Sequence, residues 1–125
     1  MAQGMPERLV RAYFDGWLAA DRDAILATLH PACVVIESYG PVYRGIDQMA
    51  RWIDVWLAPG NRVTRWDITA LDATSDACFA EWDFQCRYDG EIGGFEGATV
   101  ARRSGDKLAY LREYAITAPR YDWQG

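Results

Sequence analysis

The sequence predicts an α+β domain in which helices cover one face of a curved, mostly antiparallel sheet. Three observations carry this. Apolar residues recur at helical spacing in two early segments, Leu9-Val10-Tyr13-Phe14-Trp17-Leu18 and Ile46-Met49-Trp52-Ile53-Trp56. Residues 77–88 alternate, with Ala80, Trp82, Phe84, Cys86 and Tyr88 on one side and Glu81, Asp83, Gln85 and Arg87 on the other. Two turn signals, YDGEIGG (88–94) and RSGDK (103–107), cut the second half into a meander.

Taken in order, Pro6 suits the first turn of the first helix, with Glu7, Arg8, Arg11 and Asp15 on its polar side. Asp21 is placed to cap a short second helix carrying Ile25, Leu26 and Leu29, which Pro31 stops. Residues 32–39 read as a strand, and Gly40-Pro41 and Arg44-Gly45 as turns. The third helix spans about 46–57 and ends at Ala58-Pro59-Gly60. Strands follow at 61–73, 77–88, 95–103 and 108–117. There is no repeat, linker or low-complexity segment, so residues 1–125 form one domain.

The totals bound the function. Of 125 residues, 50% are hydrophobic, enough for one compact core and too few for two. The net charge is −5 and no block of Lys or Arg occurs, so neither nucleic acid nor a membrane is an expected partner. No apolar run approaches the roughly 20 residues that span a bilayer. The N-terminus lacks the basic-then-apolar pattern of a secretory signal. Cys33, Cys78 and Cys86 are odd in number and widely spaced, and with a single His no metal site is expected. Reduced thiols in a cytoplasm are the simplest expectation. Six Trp and seven Tyr imply a bulky core, a ligand cavity, an interface or a mixture of these.

Three stretches, YFDGWLAADRDAILATLHPACVVIE, GPVYRGIDQMARWI and FEGATVARRSGDKLAYLREY, resemble the nuclear transport factor 2-like superfamily, and the last two its SnoaL-like branch. The resemblance covers nearly the whole chain. It implies a cone-shaped α+β barrel, with three N-terminal helices packed on a strongly curved sheet around a pocket open at one end. It also implies a homodimer through the outer sheet face, an apolar small-molecule ligand and no cofactor. The stretch from Tyr13 to Glu37 is similar to ketosteroid isomerase. There a Tyr of the first helix donates to the substrate oxyanion and a carboxylate at the end of the first strand is the base. Tyr13 and Glu37 match those positions, with Glu in place of Asp. The third element departs, because Thr99 stands where the family has a protonated Asp. That argues against the same steroid isomerisation. It keeps the general pattern of a carboxylate base beside a phenol that stabilises an enolate.

The candidate catalytic residues are therefore Tyr13, Glu37 and Glu113. Glu37 ends the apolar run Cys33-Val34-Val35-Ile36. It either reaches solvent from the strand end or enters the pocket, where burial raises its pKa toward neutrality. Tyr13 is either core with a bonded hydroxyl or an oxyanion donor. Strand alternation in LAYLREYA sets Leu111, Glu113 and Ala115 on one face; a slip of one residue turns Glu113 to the surface. In register, Glu113 opposes Glu37, and two acids in one pocket push their pKa values apart. Trp17, Trp52, Trp82, Phe84 and Thr99 are expected to line the ligand site, or the aromatics to fill the cone. Trp56 falls at the mouth or toward a partner, and His30 at a helix end.

Two functions stand open. One is a cofactor-independent isomerase, cyclase, dehydratase or hydrolase acting on a carbonyl-bearing or polycyclic substrate. Epoxide hydrolysis by the family's Asp–Arg–Asp set is disfavoured, since Asp83 and Arg87 point outward. The other is a non-catalytic ligand-binding or dimerisation module.

Overall fold

A computed structural model describes residues 4–125. Helix α1 (Met5–Leu18) leads through a tight turn, with Ala20 at φ 51°, into α2 (Arg22–Ala27). Asp21 caps α2, its carboxylate accepting from Ala24 N–H at 3.0 Å. Gly16 lets the two helices touch, because a Cβ there would meet Ile25 Cγ1 at 2.9 Å. Next come β1 (Leu29–Ile36), β2 (Val42–Arg44) and α3 (Gly45–Leu57). Four long strands complete the chain: β3 (Arg62–Ala73), β4 (Ala77–Tyr88), β5 (Glu91–Ser104) and β6 (Lys107–Ala115). They form one six-stranded sheet in the order β2-β1-β6-β5-β4-β3, antiparallel except between β1 and β6.

The sheet curls around α1, whose apolar stripe of Val10, Tyr13, Phe14 and Trp17 is buried. Phe14 stacks on Trp66 of β3 with ring centroids 3.9 Å apart. Helix α3 packs over β1 with Met49 and Ile53 inward, tied to α2 by an Arg22–Asp54 ion pair of 2.7 Å. Among the described residues no helix is long and apolar enough to cross a membrane.

Boundaries differ from expectation where local chemistry overrides the pattern. Leu29 and Pro31 belong to β1, not to the second helix or its end. Thr28 closes α2, its hydroxyl donating to Ile25 O at 2.8 Å, and its carbonyl accepts from Leu108 N–H across the sheet. The β1–β6 register breaks between Leu29 and Val34, and this irregularity accommodates a residue that has no N–H to give. His30 is thus not at a helix end, and its Nδ1 accepts from Ala32 N–H at 3.0 Å. The hairpin turn needs only Asp89 (φ 52°) and Gly90 (φ 81°), so β5 starts at Glu91 instead of residue 95.

The most consequential difference is at Glu37. β1 ends at Ile36, not residue 39, and Glu37 opens a tight loop. Its N–H donates to Pro41 O at 3.0 Å and its carbonyl accepts from Gly40 N–H at 3.1 Å. Gly40 turns the loop at φ 118°, a conformation that favours glycine. The carboxyl thus stands on a backbone fixed from both sides.

Candidate active site

A cavity of about 710 Å³ opens between α3, the loop after β1 and the strands β4 and β5. Each wall follows from local periodicity. In α3, Trp52 and Trp56 are four residues apart and share a face. In β4, Phe84, Cys86 and Tyr88 alternate onto the inner side. The two-residue turn then pairs Phe84 with Phe95 of β5, their rings 5.2 Å apart. The loop after β1 contributes Glu37, Ser38 and Tyr39.

Glu37 is only partly exposed, and its Oε1 is enclosed without a hydrogen-bond partner. Glu113 of β6 faces inward as the alternation predicts, and is 7% exposed. The two carboxyls lie close enough to shift each other's titration. Burial pushes Glu37 up to about 7, with the neighbouring Glu113 opposing. Burial also drives Glu113 well above the carboxylate range, reinforced by the charge of Glu37 and only slightly offset by Thr99. Near neutral pH Glu113 therefore holds the proton, and Glu37 is the member that ionises.

Glu113 is set by a relay across three strands. Trp82 Nε1 of β4 donates to Thr99 Oγ1 of β5 at 2.8 Å, and Thr99 Oγ1 donates to Glu113 Oε2 at 3.4 Å. Gly97 makes room for this, since any Cβ there would collide with the Trp82 ring and the Tyr114 carbonyl. Tyr13 completes the group from α1. Its ring is fully buried, edge-on to Trp17 and Trp66, and its hydroxyl has no hydrogen-bond partner of good geometry. Burial, then Glu113, then Glu37 raise its pKa, with the nearby Trp17 indole opposing. The hydroxyl is thus neutral, close to both acids and committed to neither.

The three expected catalytic residues come together, but in two layers. Glu37, Trp52 and Phe84 line the cavity. Tyr13, Glu113, Thr99, Trp17 and Trp82 are buried behind that wall, so Thr99 serves Glu113 and the two Trp side chains are core. Sequence reasoning gave Trp56 no firm role and passed over Tyr39, Tyr88 and Phe95, all on the wall. The signals were present: i, i+4 spacing from Trp52, the last position of the alternating strand, and the partner of Phe84 across a two-residue turn. Cys33 and Cys78 are buried, and burial raises both thiols, Cys78 to about 11. Cys86 lies on the wall. Among the described residues no cluster of three or more His, Cys, Asp or Glu is placed to hold a metal.

The acid pair makes stability depend on pH with a definite sign. Both carboxyls keep protons in the folded chain that the unfolded chain, with a Glu pKa of about 4.3, gives up. Their contribution is full below that value and is lost as pH rises through about 7, where folded Glu37 ionises. Urea unfolding is expected to show a loss of a few kcal/mol over this window, and Glu37→Gln to lessen it, with the remainder due to Glu113. An unchanged slope in the variant contradicts this.

No curated protein matches the sequence. Solved structures match the fold at low identity. An epoxide hydrolase from M. tuberculosis, of the LEH-like type, superposes with TM-score 0.80 at 18% identity, covering 90% of this chain and 83% of its own. A candidate polyketide cyclase from Pseudomonas putida gives 0.77 at 20%, covering 93% and 94%. A protein of ketosteroid isomerase-like fold from Catenulispora acidiphila, in complex with trimethylamine, gives 0.72 at 18%, covering 85% and 83%. The model of the SnoaL-like domain matches residues 10–111, from within α1 into β6, and the chain belongs to that family.

Proposed function

We propose that the protein is a cofactor-independent acid/base enzyme, an isomerase, cyclase, dehydratase or hydrolase, acting on an apolar carbonyl-bearing or polycyclic substrate. The observation that carries this is a pair of neighbouring carboxyls in apolar surroundings, Glu37 on the cavity wall and Glu113 buried beside it. A carboxylate placed there costs several kcal/mol, which a purely structural position has no reason to bear. Glu37 takes a proton beside the substrate carbonyl. Tyr13, whose hydroxyl is unspent, donates to the oxygen as it becomes negative. Glu113 stays protonated beside Glu37, and Glu37, once protonated, can return that proton to another position of the substrate. The Phe84–Phe95 and Trp52–Trp56 walls suit a flat ring system.

The test is turnover on a panel of polycyclic ketones and polyketide-like compounds, measured for the parent and for Glu37→Gln. Substrate loss that depends on Glu37 supports the reading. A parent that binds panel members in the cavity and converts none points to the ligand-binding module instead.

Dimerisation belongs to the same proposal. The outer sheet face carries Phe79, 41% exposed, beside Glu81 and Asp83, with Arg112 over the Tyr114 ring at 4.9 Å. Mixed charge around exposed aromatics suits a self-complementary contact. Light scattering at tens of micromolar is expected to give twice the chain mass; a single-chain mass rejects the dimer.

A further inference from the structure

We propose that the cavity takes a ligand bearing a tertiary or quaternary ammonium group, seated among the aromatic rings with its charge toward Glu37. This rests on the cavity being the working site, as proposed above, and narrows its ligand class. The wall combines aromatic rings from α3, β4, β5 and the loop after β1 with one carboxyl group. Among the described residues it includes no Lys, Arg or His. The titratable groups that face Glu37 are Glu113 from β6, Tyr13 from α1, Tyr39 from the loop and Tyr43 from β2, and none is basic. Arg51 lies beside Trp52 and Val55 in an adjoining depression, outside this wall.

Such a site repels anions and leaves its acid without a counter-charge. Glu37 lines the cavity, and a cation seated there supplies the counter-charge that its carboxylate otherwise lacks. The electron-rich faces of Trp and Tyr attract the same cation, best when it is desolvated. The kind of cation follows from the acceptors: apart from Glu37 and Asn61, the wall's side-chain acceptors are hydroxyls of the exposed residues Ser38, Tyr39 and Tyr88, already open to water. A primary ammonium or a guanidinium carries several N–H groups that need oxygen partners. Asn61 on the wall is already used, its Nδ2 donating to Trp56 O and its Oδ1 accepting from Asp89 N–H, both at 2.9 Å. An N-alkylated ammonium has few or no N–H groups to satisfy, and its alkyl surface suits apolar contact. The cavity, at about 710 Å³, leaves room for an apolar body beside the charged group.

The test uses benzyltrimethylammonium and neopentylbenzene, which share a shape and differ in charge. Each is titrated into the whole protein, with tryptophan fluorescence as the readout, at about pH 6 and about pH 8, on either side of the Glu37 pKa of about 7. The cation is expected to bind at least about tenfold tighter than its isostere at the higher pH. Its affinity should fall by up to about tenfold per pH unit below the Glu37 pKa. Glu37→Gln should erase the pH dependence and reduce the preference to what the aromatic rings alone give, and Trp56→Leu should weaken the cation severalfold. If Trp56→Leu fails to fold by thermal melt, Tyr88→Leu, at a side chain 57% exposed, replaces it. Equal or better binding of the isostere overturns the inference, as does a preference unchanged in Glu37→Gln, or no binding of either probe. A ketone panel run alongside separates the two proposals. Glu37-dependent turnover of ketones with no preference for the cation leaves the acid/base reading standing and removes the ammonium. Failure of both panels removes both.

Discussion

Glu37→Gln is expected to lower turnover by roughly 10²–10⁴ while leaving the fold intact. The amide keeps the size of the side chain and its place in the tight loop, whose backbone bonds to Pro41 and Gly40 do not involve the carboxyl. What it loses is the capacity to take a proton. It also loses a charge that the cone must otherwise house, so the variant should melt later than the parent above about pH 7, where parental Glu37 is ionised. In the parent, kcat/KM should rise about tenfold per pH unit up to about 7 and then level off, because the free enzyme's base must be deprotonated. Slower turnover with higher stability is the signature of a working group, whereas a structural residue loses stability when changed. Parental turnover in Glu37→Gln would remove the base.

Tyr13→Phe is expected to cost roughly 10²–10³ in kcat, by analogy with the loss of other preorganised oxyanion donors. Its stability should be unchanged or slightly higher. The reason is specific to this site. A buried tyrosine hydroxyl normally has a partner, and deleting it then costs about 1 kcal/mol. Here the ring is buried among Trp17, Trp66 and Phe14 while the hydroxyl has no partner of good geometry, so phenylalanine keeps the packing and removes an unsatisfied group. Paired melts and turnover separate the roles. An early melt with normal turnover places Tyr13 in the core alone. A late melt with poor turnover places its hydroxyl at the reacting oxygen.

How far these residues are legible in the sequence depends on the physics that places them. Glu113 is legible because strand alternation has period two, and once Leu111 is inside, Glu113 must be too. Tyr13 is legible as buried because it shares a helical stripe with Val10, Phe14 and Trp17. Glu37 is legible as a misfit, but its support is not. The loop that holds it depends on Gly40 adopting positive φ, which does not show in hydrophobic periodicity. The two layers of the site are hidden for a different reason. Whether Trp17 and Trp82 line the cavity or lie behind it depends on the depth of each ring in a curled sheet, a long-range property. Phe95 was missed through turn length, since a two-residue turn brings it opposite Phe84 and a longer one would not. The relay Trp82–Thr99–Glu113 needs three strands in register, and Thr99 alone gives no hint of it.

Two interacting carboxyls with raised pKa values stand at the centre of the site, and carboxyl NMR of protein labelled with ¹³C at glutamate tests them most directly. The account predicts a Glu37 midpoint near 7 and a Glu113 that stays protonated to higher pH, each changing when the other is replaced by Gln. Two independent midpoints near the ordinary glutamate value of about 4.3 would put both groups in water and contradict the account.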